Sequence, residues 1–373
     1  PMVDSPSALV GDKIYFFGGR VPDSNRIFRY INQILLLDLS VNFYVDNPSW
    51  ANLSSFPYGI SSAAAAVDDF GAVFLFGGIK ENLTTHVVND NTTSLLYKFN
   101  SISASILPPV FSGTPPPNRR ATTMIFVKSK GQMWIFGGRQ DIFMGLNITL
   151  FNDVILFNPK LLSWDFHEIL PDGPKPRGHH TATLLKNGII VILGGVENQN
   201  ETKPIDMNLI YLYDTNTNTW SSKQASGSLV ESRSGHSAVL TGDDKIIIYG
   251  GWKSWRENYT TPTPLLSILD TSTYTWSIPS ITGDSPPLAY HAAHLYNNCM
   301  ILAFGNITNF NGPPNDTTNK VYILDITSFT WVSQYPVNNT IPSKPIQDNN
   351  SNKIPIILGV VIPIKSYTRY SLF

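Results

Sequence analysis

The chain has 373 residues, 42% of them hydrophobic and 12% aromatic, which supplies a sizeable core, and only 14% charged against ~25% in an average globular domain. The formal net charge is −1 and no Lys/Arg cluster interrupts the sequence, which excludes an electrostatic nucleic-acid binder. A single cysteine, Cys299, excludes an intramolecular disulfide and reads as a small buried apolar residue.

In chain order, a short apolar run ending in two glycines appears at 14–19 and returns at 73–78, 134–138, 191–195 and 246–251. The pairs are Gly18-Gly19, Gly77-Gly78, Gly137-Gly138, Gly194-Gly195 and Gly250-Gly251, in steps of 59, 60, 57 and 56 residues. A degenerate sixth run ends at Gly305. Each pair is followed by a variable insert, an apolar strand, then Asp or Asn with an aromatic residue six positions on. These are Asp38 with Tyr44, Asn158 with Trp164, Asp214 with Trp220, Asp270 with Trp276 and Asp325 with Trp331; the second unit has Asn100 and Ile106. A third mark, Gly113, Gly173, Gly227 and Gly283, precedes the next unit.

A strand-rich unit repeating every ~50 residues is the signature of a propeller blade. Runs of Val, Ile, Phe, Tyr and Thr bounded by Gly, Pro, Asn and Asp read as short strands, and no long amphipathic helix is visible. The expected fold is all-β: a six-bladed β-propeller over 1–335, four antiparallel strands (A to D) per blade. The blades fall near 1–56, 57–115, 116–174, 175–230, 231–285 and 286–335. In the fifth unit the strands are expected near 235–240, 245–249, 265–269 and 275–279. The glycines let strand B end close to a neighbouring backbone, and Trp164, Trp220, Trp276 and Trp331 pack between blades, so both sets are structural.

These marks, together with Arg177 to His180 (Arg-Gly-His-His) and Arg233 to His236 (Arg-Ser-Gly-His), resemble the kelch repeat over about residues 5–335. The first unit departs, with Val3 and Pro6 at the expected Arg and His slots; the third has Arg119 and Thr122, and the sixth has Leu288 and His291. The resemblance implies a kelch-type propeller, an architecture shared with the catalytic domain of galactose oxidase. For that copper radical enzyme Tyr290-His291 is a superficial match, but His291 falls in repeat register with His180 and His236. No cofactor and no metal site is expected, and no catalytic constellation is legible.

Ten Asn-x-Ser/Thr sequons stand at Asn52, Asn82, Asn91, Asn147, Asn200, Asn258, Asn306, Asn315, Asn338 and Asn349, seven of them between strands B and C. They point to a glycoprotein of the secretory pathway, extracellular or at the cell surface. No secretory signal is legible at residues 1–5, which fits a removed leader or a fragment. Residues 336–353 read as a polar linker. Residues 354–373 carry an apolar run and a basic end, read either as a strand or unpacked tail, or as the front of a truncated membrane anchor.

In a four-strand meander the B–C and D–A links share one face. The B–C inserts (21–31, 79–93, 140–152, 197–207, 252–264 and 306–319) are long and the A–B and C–D turns tight, so recognition is expected on the B–C face. Its candidate binding residues are Arg20, Arg26, Arg29, Tyr30, Arg139, Gln140, Trp252, Trp255, Arg256 and Tyr259, since Trp, Tyr and Arg most often anchor interfaces. For Trp252 and Trp255 the competing reading is local packing over the blade. The function expected is a non-catalytic, extracytoplasmic binding or adhesion module for a protein or glycan. The alternatives are a galactose-oxidase-like oxidase and an intracellular kelch adaptor.

Overall fold

The computed structural model describes residues 2–24, 28–88, 94–140, 148–167, 172–197, 203–253, 260–308 and 316–335. The chain divides into two units, Pro1–Val337 and Asn338–Phe373. The second unit, with the expected linker and apolar tail, lies outside the described residues.

The first unit is a ring of six sheets, each built on a four-strand antiparallel meander, to which Ser226–Gly227 adds a short parallel fifth strand in blade 5. Blade 1 is Ser7–Val10, Lys13–Pro22, Phe28–Asp38 and Trp50–Ser55; blade 2 is Ala64–Val67, Ala72–Phe76, Leu96–Asn100 and Ser105–Leu107. Blade 3 is Thr123–Val127, Gln132–Phe136, Val154–Asn158 and Ser163–His167; blade 4 is Thr181–Leu184, Ile189–Leu193, Leu209–Asp214 and Thr219–Gln224. Blade 5 is Ser237–Leu240, Lys245–Tyr249, Leu266–Asp270 and Thr275–Ser277; blade 6 is Ala292–Tyr296, Cys299–Ala303, Val321–Asp325 and Thr330–Val332. The fifth-unit strands agree with the expectation to within two residues at each end.

Strand B is apolar without alternation because both of its faces are covered. In blade 1, Ile14 and Phe16 pack toward blade 6 with Ile301 and Ile323, while Tyr15 and Phe17 pack toward blade 2 with Val73 and Phe99. Six such clusters, one per blade pair, close the ring.

The recurrent Asp or Asn shapes the C–D turn. Its side-chain oxygen accepts the N–H two residues on: Ser40 at 2.8 Å, Ile102 at 2.9 Å, Lys160 at 3.0 Å, Asn216 at 2.7 Å, Ser272 and Thr327 at 2.9 Å each. Strand D then returns its aromatic residue to the preceding blade. Trp164 lies 5.6 Å from Phe76, Trp220 5.9 Å from Phe136 and Trp331 5.3 Å from Tyr249. Blade 1 differs from its repeat mark: Tyr44 is exposed. Its slot is filled by Trp50, stacked 5.4 Å from Phe304, because the C–D link of this blade is longer.

The D–A links latch each blade to the next. Trp164 donates its N–H to the Ser112 carbonyl at 3.2 Å, Ser228 to the Trp276 carbonyl at 2.9 Å, and Trp331 to the Thr282 carbonyl at 2.9 Å. This gives the third glycine mark its cause: a Cβ on Gly113 would stand 2.9 Å from the Trp164 carbonyl oxygen. After blade 6, Gln334–Tyr335 pairs with Phe43–Tyr44 of blade 1, and Tyr335 stacks on Phe43 at 5.3 Å.

Candidate functional site

The central channel is built from three devices that repeat around the axis. The first is the diglycine. Its second N–H donates to the slot where Arg precedes strand A of the next blade: Gly78 to Arg119 at 2.9 Å, Gly138 to Arg177 at 2.8 Å, Gly195 to Arg233 at 3.0 Å, Gly251 to Leu288 at 2.9 Å and Gly305 to Met2 at 2.9 Å. The first glycine has positive φ, and a Cβ on Gly194 would stand 2.7 Å from the Arg233 carbonyl oxygen. Buried Arg119, Arg177 and Arg233 then donate back to the first-glycine carbonyl of their own blade, Gly137 at 3.2 Å, Gly194 at 3.3 Å and Gly250 at 3.1 Å. Blade 2 lacks this arginine, and the buried Lys80 amine donates to the Gly77 carbonyl instead. Burial brings the Lys80 pKa down to about 7.

The second device is a closed ring of six backbone hydrogen bonds. Ser62 donates to Asp4 (2.9 Å), Ala121 to Ser62 (3.2 Å), His179 to Ala121 (2.9 Å), Gly235 to His179 (3.1 Å), Tyr290 to Gly235 (2.8 Å) and Asp4 to Tyr290 (3.2 Å). All six residues have φ between 55° and 63°. They line a channel of about 170 Å³.

The third device is a chain of imidazoles. His180 shares a hydrogen bond with Thr123 at 3.2 Å, His236 with Thr181 at 3.1 Å and His291 with Ser237 at 2.8 Å, each across a blade boundary. Ala292 offers no hydroxyl at the last boundary, where His294 meets Ser7 at 2.9 Å. Burial pushes His180 and His291 down to about 3 and His294 to about 4. His236 lies well below its ordinary range through burial and then the nearby Arg233 charge. These histidines are neutral structural links, and this role accounts for His291 beside Tyr290.

On the B–C face the channel opens among charged groups. Arg20, Arg120 and Arg139 all bear on His179, whose pKa falls well below its ordinary range through burial and then these three charges. Arg139 pairs with Arg120 through reciprocal backbone bonds of 2.9 Å. Arg20 makes an ion pair with Asp4 at 2.5 Å, and its guanidinium lies 4.7 Å from the Phe28 ring centroid and 5.9 Å from that of Tyr290. Tyr290 meets the His179 ring edge-on at 5.1 Å and accepts a hydrogen bond from Trp252 Nε1 at 2.7 Å. Asp4 and Glu81 are counter-charges among the described residues; Glu81 accepts the Tyr30 N–H at 3.2 Å and pairs with His86 at 3.0 Å. Beside the mouth, the long hairpin of blade 1 borders a groove of about 740 Å³ that includes Arg29, Tyr30, Trp50, Phe304 and Asn319.

The model of the KLHDC2/KLHL20/DRC7 Kelch-repeats domain matches residues 6–251 and 198–351. The chain belongs to the kelch-repeat family. Kelch domain-containing protein 3 of Rattus norvegicus is 29% identical over 195 residues, 48% of each chain. Acyl-CoA-binding domain-containing protein 5 of Arabidopsis thaliana is 24% identical over 330 residues, 84% of this chain and 45% of the relative. Rab9 effector protein with kelch motifs of Xenopus laevis is 27% identical over 135 residues, 36% of this chain and 34% of the relative. The chain thus spans about half or less of the length of these curated relatives. The solved structure titled "Structure of YjhT" superposes with a TM-score of 0.65 at 16% identity, covering 89% of this chain and 97% of that one, and so shares the fold.

The kelch register corrects several expectations. In the first unit the Arg and His slots fall at Met2 and Ser5, one residue before Val3 and Pro6, because Val3 pairs with Arg20 as Arg120 pairs with Arg139. Trp252 is fully buried, so it supports the mouth from beneath and offers no exposed face. Arg139 is buried as well. Gln140 pairs with Thr149 in a short hairpin, and Arg29 is exposed on blade 1. Arg26, Trp255, Arg256 and Tyr259 lie outside the described residues.

Among the sequons, Asn52 is exposed on an outer strand. The Asn82 side-chain oxygen accepts the Thr84 and Thr85 N–H groups. Asn306 is 2% exposed and paired with Ala289, so the folded kelch domain does not present it for glycosylation. The other seven lie outside the described residues. Sequence reasoning does not single out Arg120, His179, Asp4 and Tyr290 as a site. Their one signal is positional: Arg120 directly follows the Arg slot, and the other three occupy the next position, which becomes legible only once every unit is aligned.

Proposed function

We propose that this kelch propeller binds a protein partner by seating an acidic or carboxylate-bearing segment at the channel mouth of its long-loop face. The observation that carries this reading is that Arg20, over the Tyr290 ring that packs on His179, and Arg120, bridged to the buried Arg139, both bring their charge to bear on His179, in a chain with few charged residues. Guanidinium groups on a rigid rim recognise carboxylates by directed, charge-assisted hydrogen bonds. Their field also steers an acidic partner to the mouth. The groove along the blade 1 hairpin, with Trp50 and Phe304 at its floor, offers apolar contacts to the residues flanking such a segment. A relative whose name describes it as a Rab9 effector supports a protein-binding role in general.

Fluorescence anisotropy with pools of acidic and neutral peptides tests the proposal. Acidic peptides bind preferentially, high salt weakens them, and Arg120→Glu lowers their affinity by about tenfold or more with an unchanged melting temperature. Equal binding of the two pools, or an unaltered Arg120→Glu variant, overturns it.

A further inference from the structure

The opposite face, formed by the A–B and C–D turns, differs from blade to blade, and blade 1 contributes the half-exposed Val41. At each C–D apex the Asp or Asn side chain holds the backbone, and in blades 1, 5 and 6 the apex hydroxyls of Ser40, Ser272, Thr327 and Ser328 also donate to that Asp. In blades 4 to 6 the apices are polar: Asn216 and Thr217, Ser272 and Thr273, Thr327 and Ser328. In blades 2 and 3 they carry Ile102, 93% exposed, and Leu161, 68% exposed. The A–B turn of blade 2 adds Phe70 at 85%.

The Phe70 and Ile102 tips are neighbours, and the A–B turn of blade 3 abuts them. Ser101 donates its hydroxyl to the Gly71 carbonyl at 3.1 Å, tying the Ile102 turn to the Phe70 turn. Lys128 of blade 3 meets Asp69 at 3.3 Å, tying the next blade to the same turn. Exposed Lys128 and Lys130 stand on the A–B turn of blade 3, and exposed Lys160 precedes Leu161 in its C–D turn.

From this arrangement we infer that the turn face of blades 2 and 3 docks on an anionic phospholipid surface, with Phe70, Ile102 and Leu161 inserted among the headgroups and Lys128, Lys130 and Lys160 against their charges. The shape selects this partner over a protein. A protein interface needs a close-packed, complementary core, whereas these side chains project singly from separate turns. A fluid headgroup layer accepts isolated apolar tips, and its negative surface attracts exposed lysines beside them.

Co-sedimentation of the full chain with phosphatidylcholine vesicles, with and without phosphatidylserine, tests the inference. The chain pellets with the anionic vesicles and binds the neutral ones more weakly. Phe70→Ser, Ile102→Ser and Leu161→Ser together reduce anionic binding by about tenfold or more, and Lys128→Glu, Lys130→Glu and Lys160→Glu abolish the preference for phosphatidylserine. Melting temperatures stay close to the parent because all six side chains are exposed, and Arg120→Glu at the mouth leaves vesicle binding intact. Residues 354–364 are apolar in their own right, so vesicle binding that survives the triple serine substitution overturns the inference. So does an absence of vesicle binding, or self-association in solution that the serine variant abolishes.

Discussion

Asp4 donates its backbone N–H to the Tyr290 carbonyl at 3.2 Å, the bond that joins the first blade to the last and completes the six-link ring around the channel. Every link needs a left-handed residue, yet only Gly235 is a glycine. Left-handed backbone costs an ordinary residue roughly 1–2 kcal/mol, so the ring is held by its surroundings and not by local preference.

Ala121, with φ 55°, isolates that cost. Ala121→Gly is expected to be neutral or to stabilise by about 1 kcal/mol, and Ala121→Val to destabilise by about 1–3 kcal/mol. Thermal melts that move equally in the same direction for both variants would falsify this account of the ring.

Gly250 and Gly11 separate steric contact from backbone strain. Both have positive φ, but a Cβ on Gly250 would press on the Leu288 carbonyl and stand 3.0 Å from His291, while one on Gly11 meets nothing within 4 Å. Gly11→Ala should therefore cost only about 1 kcal/mol, and Gly250→Ala at least ~3 kcal/mol, with Gly250→Val worse still. Similar denaturation midpoints for the two alanine variants would show that close approach of the blades is not what fixes the diglycine.

The imidazole chain predicts acid sensitivity of a definite sign. His180, His236 and His291 have folded pKa values far below their unfolded value near 6.5. Their contribution is therefore fully present above about pH 6.5 and is lost progressively as pH falls from there toward 3. Each such histidine steepens the loss by up to about 1.4 kcal/mol per pH unit in that window. His291→Asn should lower stability at pH 7 but flatten the decline between pH 6 and pH 4. Parallel urea-unfolding profiles for variant and parent across that range would refute the role.

Expression through a eukaryotic secretory pathway should load the exposed Asn52 and leave Asn306 bare, because the side-chain amide that would carry the oligosaccharide on Asn306 is buried in the folded blade. Glycopeptide mass spectrometry decides this directly. An occupied Asn306 would mean that this edge of blade 6 is open while the sugar is added.

Legible in the amino-acid order are the features that recur for local reasons. The diglycine, the Asp of the C–D turn and the Trp of strand D each answer a need that one blade repeats, so period and phase disclose them. Tyr44 shows the weakness of that reading: the six-residue spacing is satisfied, but a longer link passes the packing role to Trp50. Trp252 shows another. Its sequence context leaves an exposed anchor and local packing both open, and the position of Tyr290, 38 residues on, decides for packing by drawing its indole inside.

The amino-acid sequence by itself determined the all-β class, the six blades and the residues that space them, because short-range turn chemistry and strand packing act within some 60 residues. Tertiary structure alone decided the mouth. Arg20, Arg120, His179 and Tyr290 come from four different blades, and no local rule links them. They meet because interblade hydrogen bonds carry the equivalent slot of every repeat to one axis, so residues that differ from blade to blade share a single asymmetric channel mouth. The same holds on the opposite face, where Phe70, Ile102 and Leu161 are scattered turn residues until the ring sets blades 2 and 3 side by side.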